Sequence, residues 1–154
     1  MRRLKPVLQT ADVQEQVGGT DMPIVSATRL RLRSARYLIP FLFYTVLASR
    51  QARRSHGNLG LKLLRDTNRT FWTLTAWQDE EDMRSFMMTG SHRRAMPKLL
   101  GWCDEAAVTH WTQEASELPG WDQAHRKMVE QGRPSKVRFP SSDQVARRIP
   151  EPRC

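Results

Sequence analysis

Residues 70–99 read TFWTLTAWQDEEDMRSFMMTGSHRRAMPKL. From Thr70 to Trp77 the chain alternates, with Phe71, Thr73, Thr75 and Trp77 on one side and Trp72, Leu74 and Ala76 on the other. Period-two patterning with β-branched and aromatic residues predicts a strand. The absence of charge on either side places that strand in the interior of a sheet. Asp79 then stands where a helix cap belongs, and Asp82 three positions later makes a near match to a capping box. Met83, Phe86 and Met87 form the inward stripe of the helix. Gly90 breaks it, and Ser91 restarts a helical segment, SHRRAMPKLLGW, with His92 in its first turn.

Working outward, Ile24, Ser26, Thr28, Leu30 and Leu32 alternate with Val25, Ala27, Arg29, Arg31 and Arg33, a strand whose second side turns basic. Ser34 is a plausible cap and Pro40 a first-turn proline for a helix running to about Arg54, with Phe41, Tyr44, Leu47 and Ala48 at helical spacing. Leu59, Leu61 and Leu63 alternate as a second strand, and Asp66 to Arg69 make a hairpin turn into the third. A fourth strand is predicted from Ala106 to Thr112. The order is β-α-β-β-α-β, so the fold class is α+β, a ferredoxin-like arrangement. It implies a four-stranded antiparallel sheet with two main helices on one face. The other face needs a cover, and a second copy of the chain is the expected one. The domain spans 22–113, preceded by a flexible arm over 1–21. An extension over 114–154 holds a short helix at 121–131 and then an extended or disordered basic tail.

At 154 residues the chain has room for one core without disulfide or metal staples. Cys103 and Cys154 have no metal-ligand spacing, so no metal site is expected, and a reducing cytoplasm suits the thiols. The most apolar window, Tyr37 to Ala48, is 12 residues long and contains a proline, too short to span a bilayer. The net charge of +9 raises nucleic acid as a partner, but six Lys/Arg against two acids fall in residues 133–154, so much of the excess is tail charge. Nucleic-acid binding is therefore the least favoured reading. No glycine-rich phosphate loop, HExxH or GxSxG motif occurs.

The run FWTLTAW (71–77), then DEEDMRSF (79–86) and SHRRAM (91–96), resembles the antibiotic biosynthesis monooxygenase-like domains, and is similar to spheroidene monooxygenase-related members of the same dimeric α/β-barrel superfamily. The resemblance covers about residues 22–113. It implies a homodimer with sheets packed back to back, and a ligand cavity between sheet and helices in each subunit. Cofactor-free members oxidise aromatic polyketides whose anions react directly with oxygen; others bind haem. The asparagine, tryptophan and histidine of the haem-degrading branch fall near Thr28, Phe86 and Ala95 or Met96, none of which matches. Haem is accordingly disfavoured and no cofactor is expected.

The implied activity is a cofactor-independent, monooxygenase-like oxidation, or simple binding, of a small hydrophobic or aromatic molecule. The alternatives are a non-catalytic ligand-binding dimeric barrel and a haem-binding oxygenase. His92 in a helix first turn favours neutral imidazole, suited to a base or hydrogen-bond role, and His110 is the second catalytic candidate. Phe41, Tyr44, Trp72, Trp77, Met83, Phe86 and Met87 could line an apolar pocket, though each also reads as ordinary core. Arg29 and Arg31 suit an anion or a contact across a dimer. His56 and His125 read as surface groups.

Overall fold

The computed structural model describes residues 22–153; the expected N-terminal arm and Cys154 lie outside the described residues. The strands are β1 (Ile24–Leu32), β2 (Asn58–Arg65), β3 (Thr70–Trp77), β4 (Cys103–Thr112) and the two-residue β5 (Arg133–Pro134). The helices are α1 (Leu38–Arg54), α2 (Glu80–Met87), α3 (Gly90–Trp102), α4 (Trp121–Gln131) and α5 (Ser142–Val145), with a 3₁₀ turn over Ala35–Tyr37. All pairings are antiparallel, in the order β2-β3-β1-β4-β5. The first four strands reproduce the ferredoxin-like order.

One expectation needs correction. The sheet has five strands rather than four, because Pro134 and Arg133 pair with Ala107 and Val108 on the outer edge of β4. The helical turn expected to restart at Ser91 forms a third full helix beside the two main ones, running through Pro97 to Trp102 as 13 residues from Gly90. Asp79 does cap α2, its side chain accepting the Asp82 N–H at 2.8 Å. At the β2–β3 hairpin, Asn68 and Arg69 both adopt left-handed backbone, φ 56° and 59°, a combination that matches the twist of paired strands.

Each face of β3 meets a different cover. On one side Trp77 and Ile24 pack with Ala52 of α1 and with Met83 and Phe86 of α2. At the other end of that side, Leu32 and Phe71 pack with Phe41 and Cys103. On the reverse side Val25, Ala27, Trp72, Leu74, Ala107 and Trp111 pack against Ala124 and Met128 of α4, with Leu118, Trp121 and Ile149 around them. The sheet face for which a second copy was expected is thus covered by the chain's own C-terminal residues. Their apolar groups are there because α4 is amphipathic and Trp72 and Leu74 would otherwise face water.

The residues after α4 run along this face and are tied by hydrogen bonds. Gln144 donates to the carbonyls of Ala106 and Ser135 and accepts the Ala106 N–H, all at 3.0–3.1 Å. His125 donates from Nε2 to the Ile149 carbonyl at 2.8 Å and lies edge-on to Trp72, so it is packed beneath the tail rather than being a surface group. The contribution of this cover is measurable: Met128→Ala should destabilise the chain by about 2–5 kcal/mol in chemical denaturation, the usual loss for a buried large-to-small change. A tail lying in solvent would give no change.

Candidate functional site

The two sides of the sheet differ in how completely they are sealed. Ala27, Leu74, Ala76 and Ala107 on the α4 side are buried, whereas Ser26, Thr28, Leu30, Thr73, Val108 and His110 on the helix side are half-buried. The register sets Thr73, Thr28 and Val108 side by side, and in the next row Thr75, Ser26 and His110. Helices α1 to α3 therefore cover the middle of the sheet less completely than α4 covers the other side. The half-buried patch there is made of small hydroxyl side chains, Leu30, Val108 and one imidazole. Sequence patterning contained the signal, since threonine and serine stand at inward positions where a sealed core would carry Val, Ile or Leu, but the hydroxyls were not singled out.

His110 is the titratable group of that patch. Its Nε2 is buried with no hydrogen-bond partner among the described residues. Burial holds its pKa below the ordinary histidine value, and Arg133 nearby lowers it further. A half-buried imidazole whose Nε2 has no partner calls for a functional explanation.

His92 lies at the α2–α3 junction, and its position has a local cause. Gln51 of α1 donates to the carbonyls of Phe86 (3.2 Å) and Thr89 (2.8 Å) and accepts the His92 backbone N–H at 2.9 Å. Gly90 is required there, because its φ is +59° and an added Cβ would press on the Gln51 amide at 3.0 Å. Gln51 is a functional support that sequence reasoning missed; its only signal is a polar residue on the packed side of α1. His92 Nδ1 sits 3.1 Å from the Met87 carbonyl. A carbonyl can only accept, so Nδ1 carries the proton and Nε2 keeps its lone pair. Burial lowers the His92 pKa, outweighing the Met87 hydrogen bond that acts to raise it. No hydrogen bond joins the two imidazoles among the described residues.

The remaining candidate residues divide among separate places. Trp77, Met83 and Phe86 are buried against one another, with Trp77 and Phe86 stacked at 5.0 Å and Phe86 against the His92 ring at 4.7 Å. Met87 and His92 are half-buried beside them. Phe41 packs on Phe71 at 4.7 Å, and Tyr44 lies 6.1 Å from Trp102, both at the far end of α1. Trp72 is on the opposite side of the sheet beneath α4 and does not share a pocket with Trp77. The adjacent Cys103 is no nucleophile, since burial pushes its thiol up to about 12.

Arg29 and Arg31 also lie on the α4 side, where each pairs with acids of β4. Arg29 Nη1 donates to Glu105 at 2.7 Å, and Arg31 grips Asp104 through Nε and Nη2 at 2.9 and 2.7 Å. Arg31 stands directly across from Glu105 in the β1–β4 ladder, so the acids of β4 take up these charges within one chain. Ser141 donates a further hydrogen bond to Glu105 at 2.8 Å. Because removing one member of a buried pair strands the other, Glu105→Gln should cost about 3–5 kcal/mol of folding stability, read as a shift of the denaturation midpoint.

No protein-family model matches the chain, and no curated protein sequence matches it. Solved structures do match, and they define the class, at the level of fold, as ferredoxin-like α+β proteins. A conserved protein from Methanosarcina mazei Go1 matches with a TM-score of 0.55 at 11% identity, over 61% of this chain and 95% of its own. An antibiotic biosynthesis monooxygenase assigned in Nitrosomonas europaea gives 0.52 at 15% identity, over 60% and 91%. SnoaB, a cofactor-independent oxygenase from Streptomyces nogalater, gives 0.50 at 16% identity, over 64% and 99%. These structures are matched nearly end to end, while more than a third of this chain lies outside the shared fold. Among the described residues no helix is long and apolar enough to cross a membrane, and no three metal-ligating side chains are grouped to hold an ion.

The imidazoles set a pH dependence. Unfolding returns His92 and His110 to the ordinary value of 6.5, above their folded values. The unfolded chain then binds protons first, so their contribution is complete above that value and is lost as pH falls through it. His56 acts in the opposite sense, its pKa raised by the hydrogen bond to Asp82, but its side chain is 87% exposed and the effect is screened. The urea midpoint should fall between about pH 7 and about pH 5, and the double variant His92→Gln/His110→Gln should flatten that fall.

Proposed function

We propose that the half-buried patch on the helix side of the sheet binds a small hydrophobic or aromatic molecule bearing an acidic hydroxyl, and that the protein is a monooxygenase-like enzyme that oxidises it without a cofactor. The observation that carries this reading is His110, its pKa held below the ordinary value and its Nε2 without a hydrogen-bond partner among the described residues, in a half-buried patch of hydroxyls on the helix side of the sheet. A neutral imidazole can take the hydroxyl proton, leaving a substrate anion electron-rich enough to react with oxygen. Ser26, Thr28 and Thr73 offer hydrogen bonds that orient the ring, and Leu30 and Val108 offer it apolar contact. His92, its tautomer held by Met87, supplies a second neutral acceptor from the α2–α3 junction. The fold of SnoaB, described as a cofactor-independent oxygenase, supports the same reaction class.

A haem-dependent reading fits the residues poorly. Thr28 and Phe86 offer no donor to iron, Ala95 is a buried methyl, and Met96 is 46% exposed on the outer side of α3. A homodimer enters this proposal only in a form that leaves α4 on the sheet, since the back-to-back surface is occupied.

Oxygen uptake on a panel of hydroxylated aromatics tests the proposal. Turnover should fall by roughly 10²–10⁴-fold in His110→Gln, the usual contribution of a positioned general base, and by less in His92→Gln. Ligand-induced stabilisation without oxygen uptake would make the chain a binding protein of the same fold. Neither uptake nor stabilisation with any member of the panel would sink the patch as a site.

A further inference from the structure

Helix α1 carries a stripe along its solvent side that the core does not use. Ile39, Leu42, Phe43 and Val46 share one face at helical spacing, and Ile39, Phe43 and Val46 are 81%, 60% and 50% exposed. The same face runs on into Arg50, Arg53 and Arg54, all exposed. Helix α3 lies antiparallel beside it, since Gln51 reaches His92 at one end and Tyr44 meets Trp102 at the other. Arg93, Arg94, Met96 and Lys98 of α3 are exposed as well, so the arginines of the two helices gather at one end of the pair.

The charge of this surface is of one sign. Neither helix contains an acid, and none occurs anywhere from Arg33 to Arg65. No cation of α1 or α3 enters an ion pair among the described residues. Asp82, the acid that comes up against the turn after α1 at Gly57, is held by His56 at 2.8 Å. The dipole of α1 favours cations in its last turn and accounts for Arg53 and Arg54. It does not account for Arg93 and Arg94, which stand at the start of α3, the end where a helix dipole disfavours a cation. Unpaired charge set against the local field, beside apolar side chains left in water, calls for a partner outside the chain.

The mixture of groups selects that partner. A second copy of the chain would set these arginines against their own counterparts, and like charges across an interface repel. Nucleic acid would satisfy the arginines but would leave Ile39, Phe43 and Val46 against a polar backbone. A bilayer surface containing anionic lipid takes both, the apolar groups at the acyl boundary and the guanidinium groups at the headgroup phosphates. Tyr37, Tyr44 and Trp102 beside the stripe are half-buried, and rings with one polar end favour the same boundary. We propose that the α1–α3 face docks the protein on an anionic phospholipid surface, lying in the interface without crossing it. This face is on the outer side of the helices, so the proposal is independent of the oxidation at the sheet.

Flotation of the full chain with vesicles of phosphatidylcholine alone, and of phosphatidylcholine mixed with phosphatidylserine, tests this. The chain should bind the mixed vesicles roughly tenfold or more tightly than the neutral ones, and high salt should weaken that binding. Phe43→Ser and the double variant Arg93→Gln/Arg94→Gln change exposed side chains, should leave the urea midpoint unchanged, and should each weaken vesicle binding by roughly tenfold. Lys136→Gln/Arg147→Gln, which removes the same charge from exposed C-terminal residues, should leave it unaltered. The proposal is overturned if the mixed vesicles are not bound, or if the C-terminal variant weakens binding as much as the α3 variant. Unchanged binding in Phe43→Ser would also overturn it, by reducing the face to a site for any polyanion, nucleic acid included. Self-association of the chain without lipid, lost in Phe43→Ser, would give the face to a second copy instead.

Discussion

The structure depends on one strand that must be buried twice. Trp72 and Trp77 point to opposite sides of β3 and both are fully buried, so a single helical layer cannot satisfy the strand. Helices α1 and α2 cover the Trp77 side, and α4 with its following residues covers the Trp72 side. Each large aromatic side chain carries enough apolar area to fix the position of what packs on it. The C-terminal third of the chain is therefore part of the core rather than an appendage.

That two-sided cover distributes the chemistry. The helix side is incompletely sealed, and the polar groups left there are hydroxyls and a neutral imidazole, with no charge among the strand residues that form the patch. The α4 side is sealed at its apolar end and carries the buried ion pairs of Arg29 and Arg31 at the other. A dry apolar ligand suits the first environment. The second holds charges of both signs in low dielectric, paired with one another within the chain. The same sheet thus presents two surfaces of contrasting character, set apart by the alternation of side chains along β1.

Much of this was legible in the sequence because it is local. The uncharged alternation of 70–77, the Asp79 cap and the break at Gly90 each follow from residues a few positions apart, and the strand order follows from their sequence along the chain. The site was legible in part. His92 and His110 could be marked as imidazoles in contexts favouring the neutral form. That Nδ1 of His92 faces the Met87 carbonyl, or that Gln51 ties α1 to the α2–α3 junction 41 positions away, could not. Trp72 and Trp77 both read in the sequence as pocket-lining aromatics, and the period-two alternation that puts an even and an odd position on opposite faces gives them separate surroundings.

By itself the sequence determined the element types, the antiparallel ferredoxin-like order and the need for a second cover over the sheet, because periodicity and capping are short-range properties of the chain. Only the tertiary structure decided what that cover is and which charges meet. The face held open for a partner subunit is filled by α4, and arginines with two possible partners are bound by acids some 73–76 positions away. Those outcomes depend on strand register and on where a distant amphipathic helix docks, and contacts of that range leave no periodic trace in the residues that make them.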